Sequence, residues 1–359
     1  MTRRMGRYLQ KRWFLVSIAA LIAGGLAVGS ARNEAPSGSL VRDALGLLDF
    51  PSVYVTAATI FLMAFSLDSR HLRAAARSPA PVLWASLVNY GFLPLAGWGL
   101  MFLQTKADFR IGLMIAVSVP CTLAAASVWT RKAGGNDAVS LMVTLLTNAV
   151  CFAVTPFWLQ VATGSSVRLD ASTMVVGLFV AVLVPALAAQ AVRLVPPCAA
   201  FASRHKVPLG VVAQLLILVM VFNAAVKAGA QLADRDHAAP GWGAVCLVWG
   251  TCIALHVAAL ALGVAGGRAL GFRREDRIAA AFAGSQKTLP VGVLLATDQT
   301  MFGRPDLLGA DLGVPFAVFP MLMFHASQLF VDTAVADWFA AGKPAPVAES
   351  PAEEGADQT

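Results

Sequence analysis

Between Ala281 and Thr297 the chain reads AFAGSQKTLPVGVLLAT, an apolar stretch whose middle holds Ser285, Gln286, Lys287 and Thr288, followed by Pro290. An amine, a carboxamide and two hydroxyls in such surroundings can draw in an anionic solute and hydrogen-bond it. A lysine near the centre of a bilayer costs about 2.5–3.5 kcal/mol, so it faces protein or trapped water and marks function by default. Proline removes a helical hydrogen bond, and lipid offers the freed carbonyl no replacement. A broken, polar-centred segment is therefore stable where its loosened backbone lines an enclosed cavity, as in a transporter's midplane site.

Lys287 has two readings. In the first it is a fixed or protonatable charge, because removal from water disfavours the charged form of an amine. In the second its ammonium satisfies carbonyls loosened around Pro120 and Pro290. Gln286, Ser285, Thr288 and Thr122 lie beside the same two prolines and either touch solute or cap loose backbone. Half-helix N-termini just after Pro120 and Pro290 would aim positive dipole ends at the site, which favours a carboxylate or sulfonate. Asn148, Gln190, Gln214, Asn223, His256, His325 and Gln328 read as interhelical hydrogen-bond partners. Asp332, a turn beyond Gln328, is expected nearer the inner surface. GGRALG, Gly266 to Gly271, follows no strand and makes a poor nucleotide loop. With no metal-ligand spacing and no nucleophile motif, an enzyme is the weaker reading and no cofactor is implied.

The elements that must position these residues are membrane helices. Of 359 residues 58% are hydrophobic and 13% charged, against about 25% charged in soluble domains. The net charge of +7 sits in short loops and reports topology rather than nucleic-acid binding. Apolar runs at 13–29, 51–67, 80–103, 109–130, 138–162, 172–192, 208–228, 241–265, 278–297 and 314–339 each approach the length that crosses about 30 Å of hydrocarbon. The first run could instead be a signal peptide, since small residues follow at Gly29, Ser30 and Ala31; the number of later runs favours a retained helix. With both ends cytoplasmic, 18 of the 27 Lys and Arg residues fall inside, 8 outside and Lys287 within a span, the bias expected of an inner or plasma-membrane protein. Arg70, Arg73 and Arg77 suit a surface helix against lipid headgroups.

This predicts an all-α polytopic protein of ten transmembrane helices in one unit, residues 1–345, with a disordered cytoplasmic tail at 346–359. Pro120 and Pro290 fall in the fourth and ninth runs. Five runs on either side of the midpoint make two inverted repeats, about 12–165 and 172–340, with the two interrupted helices crossing.

Val119 to Pro156, Phe282 to Gly292 and FLMAFSLD, Phe61 to Asp68, together resemble the bile acid:sodium symporter family. They are most similar to its SBF-like branch, which includes the seventh member of solute carrier family ten. Gly134, Gly135 and Asn136 after the fourth span, and a lysine in the ninth, carry that similarity. The resemblance implies a panel domain, a core domain with unwound fourth and ninth helices, and two sodium sites beside their crossing. Carried over residue by residue, Ser140, Thr144 and Gln286 match sodium-site positions. Ala125 and Ala126 stand where relatives have Ser-Asn, Phe282 where they have glutamate and Lys287 where they have asparagine. Hard cations want several oxygen ligands and negative charge, so the sodium site is degenerate. The expected function is secondary-active transport of a small organic anion with sodium coupling in doubt. A proton-coupled or uncoupled carrier and a non-transporting membrane regulator are the alternatives. Substrate and oligomeric state are not legible.

Overall fold

The computed structural model describes residues 13–34, 52–67, 79–123, 125–164, 170–232, 240–298 and 314–341. Among them every regular element is helical. The order is α1 (Trp13–Glu34), α2 (Ser52–Ser66), α3 (Pro79–Leu87, a π turn at Val88–Phe92, then Leu93–Met101), α4 (Ala107–Ser118), α5 (Ala125–Ala133) and α6 (Asp137–Thr163). It continues with α7 (Ala171–Leu178, a π turn at Phe179–Leu183, then Val184–Arg193), α8 (Pro196–Arg204), α9 (Lys206–Leu232), α10 (Trp242–Ala269), α11 (Arg274–Ser285), α12 (Leu289–Thr297) and α13 (Val318–Ala341, entered through a 3-10 turn). Arg70, Arg73, Arg77 and the tail at 346–359 lie outside the described residues.

Among the described residues six segments are long and apolar enough to cross a membrane, counting α11 with α12 as one segment, Arg274–Thr297. Burial divides them. The most apolar part of Ala171–Arg193 is only 22% buried, whereas that of Arg274–Thr297 is wholly buried. The broken segment is therefore central and shielded from lipid, as its unpaired backbone groups require.

Both π turns end two residues before a proline, Pro94 and Pro185. A proline cannot donate to the carbonyl four or five residues back. In α3 the Leu93 N–H reaches back to the Val88 carbonyl. The carbonyls of Asn89 and Tyr90 are thereby left without helical donors, and side chains from elsewhere take them up.

The helices pack as two groups. α1, α2, α7, α8 and α9 form one, in which α1 and α9 approach closely enough that a Cβ on Gly29 would stand 2.0 Å from the Val226 carbonyl oxygen. α3 to α6 and α10 to α13 form the other, around the two breaks. Between α5 and α6, Gly134 takes a left-handed φ of 77°. Asn136 then caps α6, its Oδ1 accepting from the amides of Ala138 and Val139. Its Nδ2 donates to Asp276 on α11 at 2.7 Å, so the Gly-Gly-Asn turn ties the two interrupted segments together.

Candidate functional site

The site grows from the two interruptions. Pro120 biases the residue before it towards extended backbone; α4 stops at Ser118 and Val119 is extended, with φ −70° and ψ 157°. Helical structure resumes at Ala125, five residues past the proline rather than directly after it as the sequence suggested. In the other segment α11 stops at Ser285, Gln286 and Thr288 are extended, and α12 begins at Leu289. Pro290 thus lies inside the first turn, where its missing N–H costs no helical bond. The breaks meet directly: the Thr288 N–H donates to the Pro120 carbonyl at 2.9 Å.

Lys287 sits at this meeting point and is completely buried. Its Nζ donates to the Asn89 carbonyl at 2.7 Å, to Asn89 Oδ1 at 3.0 Å and to the Val119 carbonyl at 2.9 Å. It also lies 5.2 Å from the centre of the Tyr90 ring, within cation–π range. Three acceptors match the three N–H donors of an ammonium. One acceptor is a carbonyl loosened by Pro120, as the structural reading supposed. Another is the Asn89 carbonyl loosened by the α3 π turn. The other loosened carbonyl, that of Tyr90, accepts from Trp158 Nε1 at 2.8 Å.

Asn89 is the second centre. Its Nδ2 donates to the carbonyls of Ala283, Gly284 and Gln286 at 3.2, 3.2 and 2.9 Å, gathering the frayed end of α11. Gln328 holds Lys287 by its backbone: Oε1 accepts from the Lys287 N–H and Nε2 donates to its carbonyl, both at 2.9 Å. Gln328 Nε2 also lies 2.8 Å from His325 Nδ1. Gln286 Nε2 donates to Asp332 Oδ2 at 2.6 Å, and Asp332 Oδ1 faces His256 Nε2 at 2.9 Å. Asp332 and His256 are both fully buried. The expectation that Asp332 lies near the inner surface is thus corrected: it belongs to the central cluster. Asn89, Tyr90 and Asp332 are the members that sequence reasoning missed. The available signals were an asparagine five residues before Pro94 in an apolar run, and a carboxylate four residues after Gln328.

The remaining sequence candidates divide. Ser140 and Thr144 stand one turn apart on α6 beside the first break. Thr144 Oγ1 donates to the Ser140 carbonyl at 2.9 Å and approaches the Thr122 carbonyl at 3.4 Å. Ser285 Oγ turns back to the Phe282 carbonyl at 3.4 Å. Thr288 Oγ1, Gln286 Oε1 and Ser140 Oγ are buried without a protein partner, so the Thr288 hydroxyl does not cap loose backbone. Ala126 packs in an apolar cluster with Val139, Val143 and Ala280. Phe282 packs in another with Leu260, Ile278 and Ala336. Asn148 Nδ2 donates to the Cys121 carbonyl and Gln190 Nε2 to the Ala64 carbonyl, at 2.8 and 2.6 Å, as interhelical partners.

A model of the SBF-like CPA transporter family matches residues 13–341. The chain belongs to that family. It is 27% identical over 221 residues to sodium/bile acid cotransporter 7 of Mus musculus, covering 60% of this chain and 62% of that relative. Over 343 residues it is 25% identical to a probable chloroplastic sodium/metabolite cotransporter, BASS4, of Oryza sativa subsp. indica, covering 88% and 78%. An uncharacterised protein of Pseudomonas aeruginosa is 28% identical over 260 residues, covering 72% and 74%. The protein is a multi-pass membrane transporter of the bile acid:sodium symporter family, not an enzyme. A family of transporters implies a small solute as substrate.

Proposed function

We propose that the protein is a secondary-active carrier of a small organic anion whose resident ammonium, Lys287, stands where sodium-coupled relatives hold sodium. Transport then requires no sodium. The observation that carries this reading is the saturated coordination of the Lys287 Nζ at the helix crossing, by two backbone carbonyls and one amide oxygen. Apolar residues at the degenerate positions Ala126 and Phe282 agree with it, because a hard cation would find no carboxylate there. The buried oxygens of Gln286 and Thr288, without protein partners, flank Lys287 in sequence and give a hydrated solute polar contacts.

In this reading ten spans form a 5+5 inverted repeat about the crossing, both termini are cytoplasmic and the host is the inner or plasma membrane. The two helix groups exchange access by moving against one another. At the boundary between α2, α9 and α12 lies a pocket of about 10 Å³, lined in part by Ser52, Asn223, Lys227 and Thr297. That volume admits about one water, so a solute enters here only when the groups part.

A second reading, in which a proton is the coupling ion, is favoured by the His256–Asp332 pair. His256 Nδ1 lies 3.3 Å from the Ser285 carbonyl, which only accepts, so the other nitrogen and the carboxylate share one further proton.

The test is uptake of a panel of carboxylates and sulfonates into proteoliposomes, with sodium and pH gradients imposed separately. Uptake indifferent to the sodium gradient and abolished in Lys287→Met is expected. Strict sodium dependence, or full activity of a folded Lys287→Met protein, overturns the proposal. Dependence on the pH gradient alone selects the second reading, and no uptake of any solute points to a regulator.

A further inference from the structure

We propose that a groove at the end of the helix bundle formed by α10, α11 and α13 binds the phosphate headgroup of an anionic membrane lipid. The groove has a volume of about 500 Å³ and is lined chiefly by Val264, Arg274, Arg277, Ile278, Trp338 and Phe339. Its walls are apolar apart from two guanidinium groups, the combination that a lipid phosphate and the first carbons of its chains demand.

The carboxylates nearby are engaged elsewhere. Asp276 accepts from Asn136 at 2.7 Å and Asp337 pairs with Lys132 at 2.6 Å, while Glu275 stands 3.8 Å from Arg273. Arg274 spends one donor on the Phe339 carbonyl, at 2.7 Å, and keeps others. Arg277 makes no hydrogen bond or ion pair among the described residues. Its aliphatic stem lies against Gly267, where a Cβ would meet Arg277 Cγ at 3.0 Å, so the head is held at the groove. Half-buried guanidinium groups bind phosphate bidentately and strongly. Trp338 is 71% exposed at the rim, the position of an interfacial aromatic anchor. Arg268, Arg273, Arg274 and Arg277 all belong to the end that the charge bias assigns to the cytoplasm, where anionic lipids meet basic pockets between helices. A free phosphate would have no use for the apolar walls.

Detergent-purified full-length protein is titrated with phosphatidylglycerol, and with phosphatidylcholine carrying the same chains, and bound lipid is counted by native mass spectrometry. Phosphatidylglycerol is expected to bind about tenfold more tightly, the value of one charge-assisted contact. Arg277→Gln should erase the preference and Arg277→Lys should keep part of it. Val264→Trp, which fills the groove without altering charge, should abolish binding and serves as the second variant if Arg277→Gln does not fold. Equal binding of both lipids, an unaltered preference in folded Arg277→Gln and Val264→Trp proteins, or full displacement by inorganic phosphate would each overturn the proposal. So would binding only after residues 342–359 are removed, because the acidic tail would then be the occupant.

Discussion

If the Lys287 ammonium bolts the crossing together, deleting it and deleting Asn89 should not be independent events. Lys287→Met keeps an unbranched side chain one atom shorter but leaves the Asn89 carbonyl, Asn89 Oδ1 and the Val119 carbonyl without donors, all in a fully buried site. Each hydrogen bond to a charged group contributes about 1.5–3 kcal/mol. Part of that sum is offset because the variant no longer removes an ammonium from water, which costs several kcal/mol. A net destabilisation of about 3–5 kcal/mol follows, the range for breaking a buried charged partnership. Asn89→Leu removes Oδ1 and also the Nδ2 that gathers the carbonyls of Ala283, Gly284 and Gln286. The two variants share the 3.0 Å contact between Nζ and Oδ1, so their coupling energy should be about 1.5–3 kcal/mol. Equilibrium unfolding of the wild type, both single variants and the double variant in mixed micelles closes the cycle. Additive costs, with coupling under about 0.5 kcal/mol, would refute the bolt and leave Lys287 a passenger.

Two further outcomes follow from the same geometry. Asp332→Ala leaves His256 Nε2 and the Gln286 Nε2 donor without the carboxylate they meet at 2.9 and 2.6 Å; it should cost about 3–5 kcal/mol in the same unfolding assay, with part recovered in the Asp332→Leu, His256→Leu double variant. At the start of α7, hydrogen bonds from the side chains of Ser172 and Thr173 hold the exposed Asp170 carboxyl at about 2, below its usual 3.8. A depressed value means that the cap stabilises the turn above about pH 4 and is lost as pH falls towards 2. The protection of the Ser172 and Thr173 amides against hydrogen exchange, relative to the intrinsic rate at each pH, should therefore fall over that interval in the wild type and be low throughout in Asp170→Ala.

The apolar helical character of the chain and its two interruptions were legible because each announces itself locally. A lysine costs so much in an apolar run, and a proline frees so definite a carbonyl, that Lys287, Pro120 and Pro290 could be read without coordinates. The partners of those groups could not. Asn89 reaches Lys287 across 198 positions and His256 reaches Asp332 across 76, separations that no period or motif encodes. The π turn of α3 was invisible for a different reason: Pro94 announces a loosened carbonyl, but whether a helix kinks, breaks or widens there depends on what can fill the gap. Here Trp158 and Lys287 fill it. Asp332 was misplaced because a carboxylate with no visible partner belongs near water, and its partners became visible only in the fold.

The hydrogen bonds also argue for where the molecule can move. Around the crossing, α3, α4, α6, α10, α11 and α13 are joined by buried bonds to backbone and to charge, among them the three Asn89 Nδ2 contacts and the two-way grip of Gln328 on Lys287. Separating any of these would bury unpaired donors, at about 1–3 kcal/mol each. Where α12 meets α2 the contacts are of another kind. Thr56 Oγ1 reaches the Pro290 carbonyl at only 3.4 Å, and the Ser52 and Thr297 hydroxyls meet at 2.8 Å in a half-buried position. A hydroxyl in such a place exchanges its partner for water at a net cost of about 1 kcal/mol. On the proposed transport reading the crossing travels as one body, and the contacts between α12 and α2 yield before those inside it.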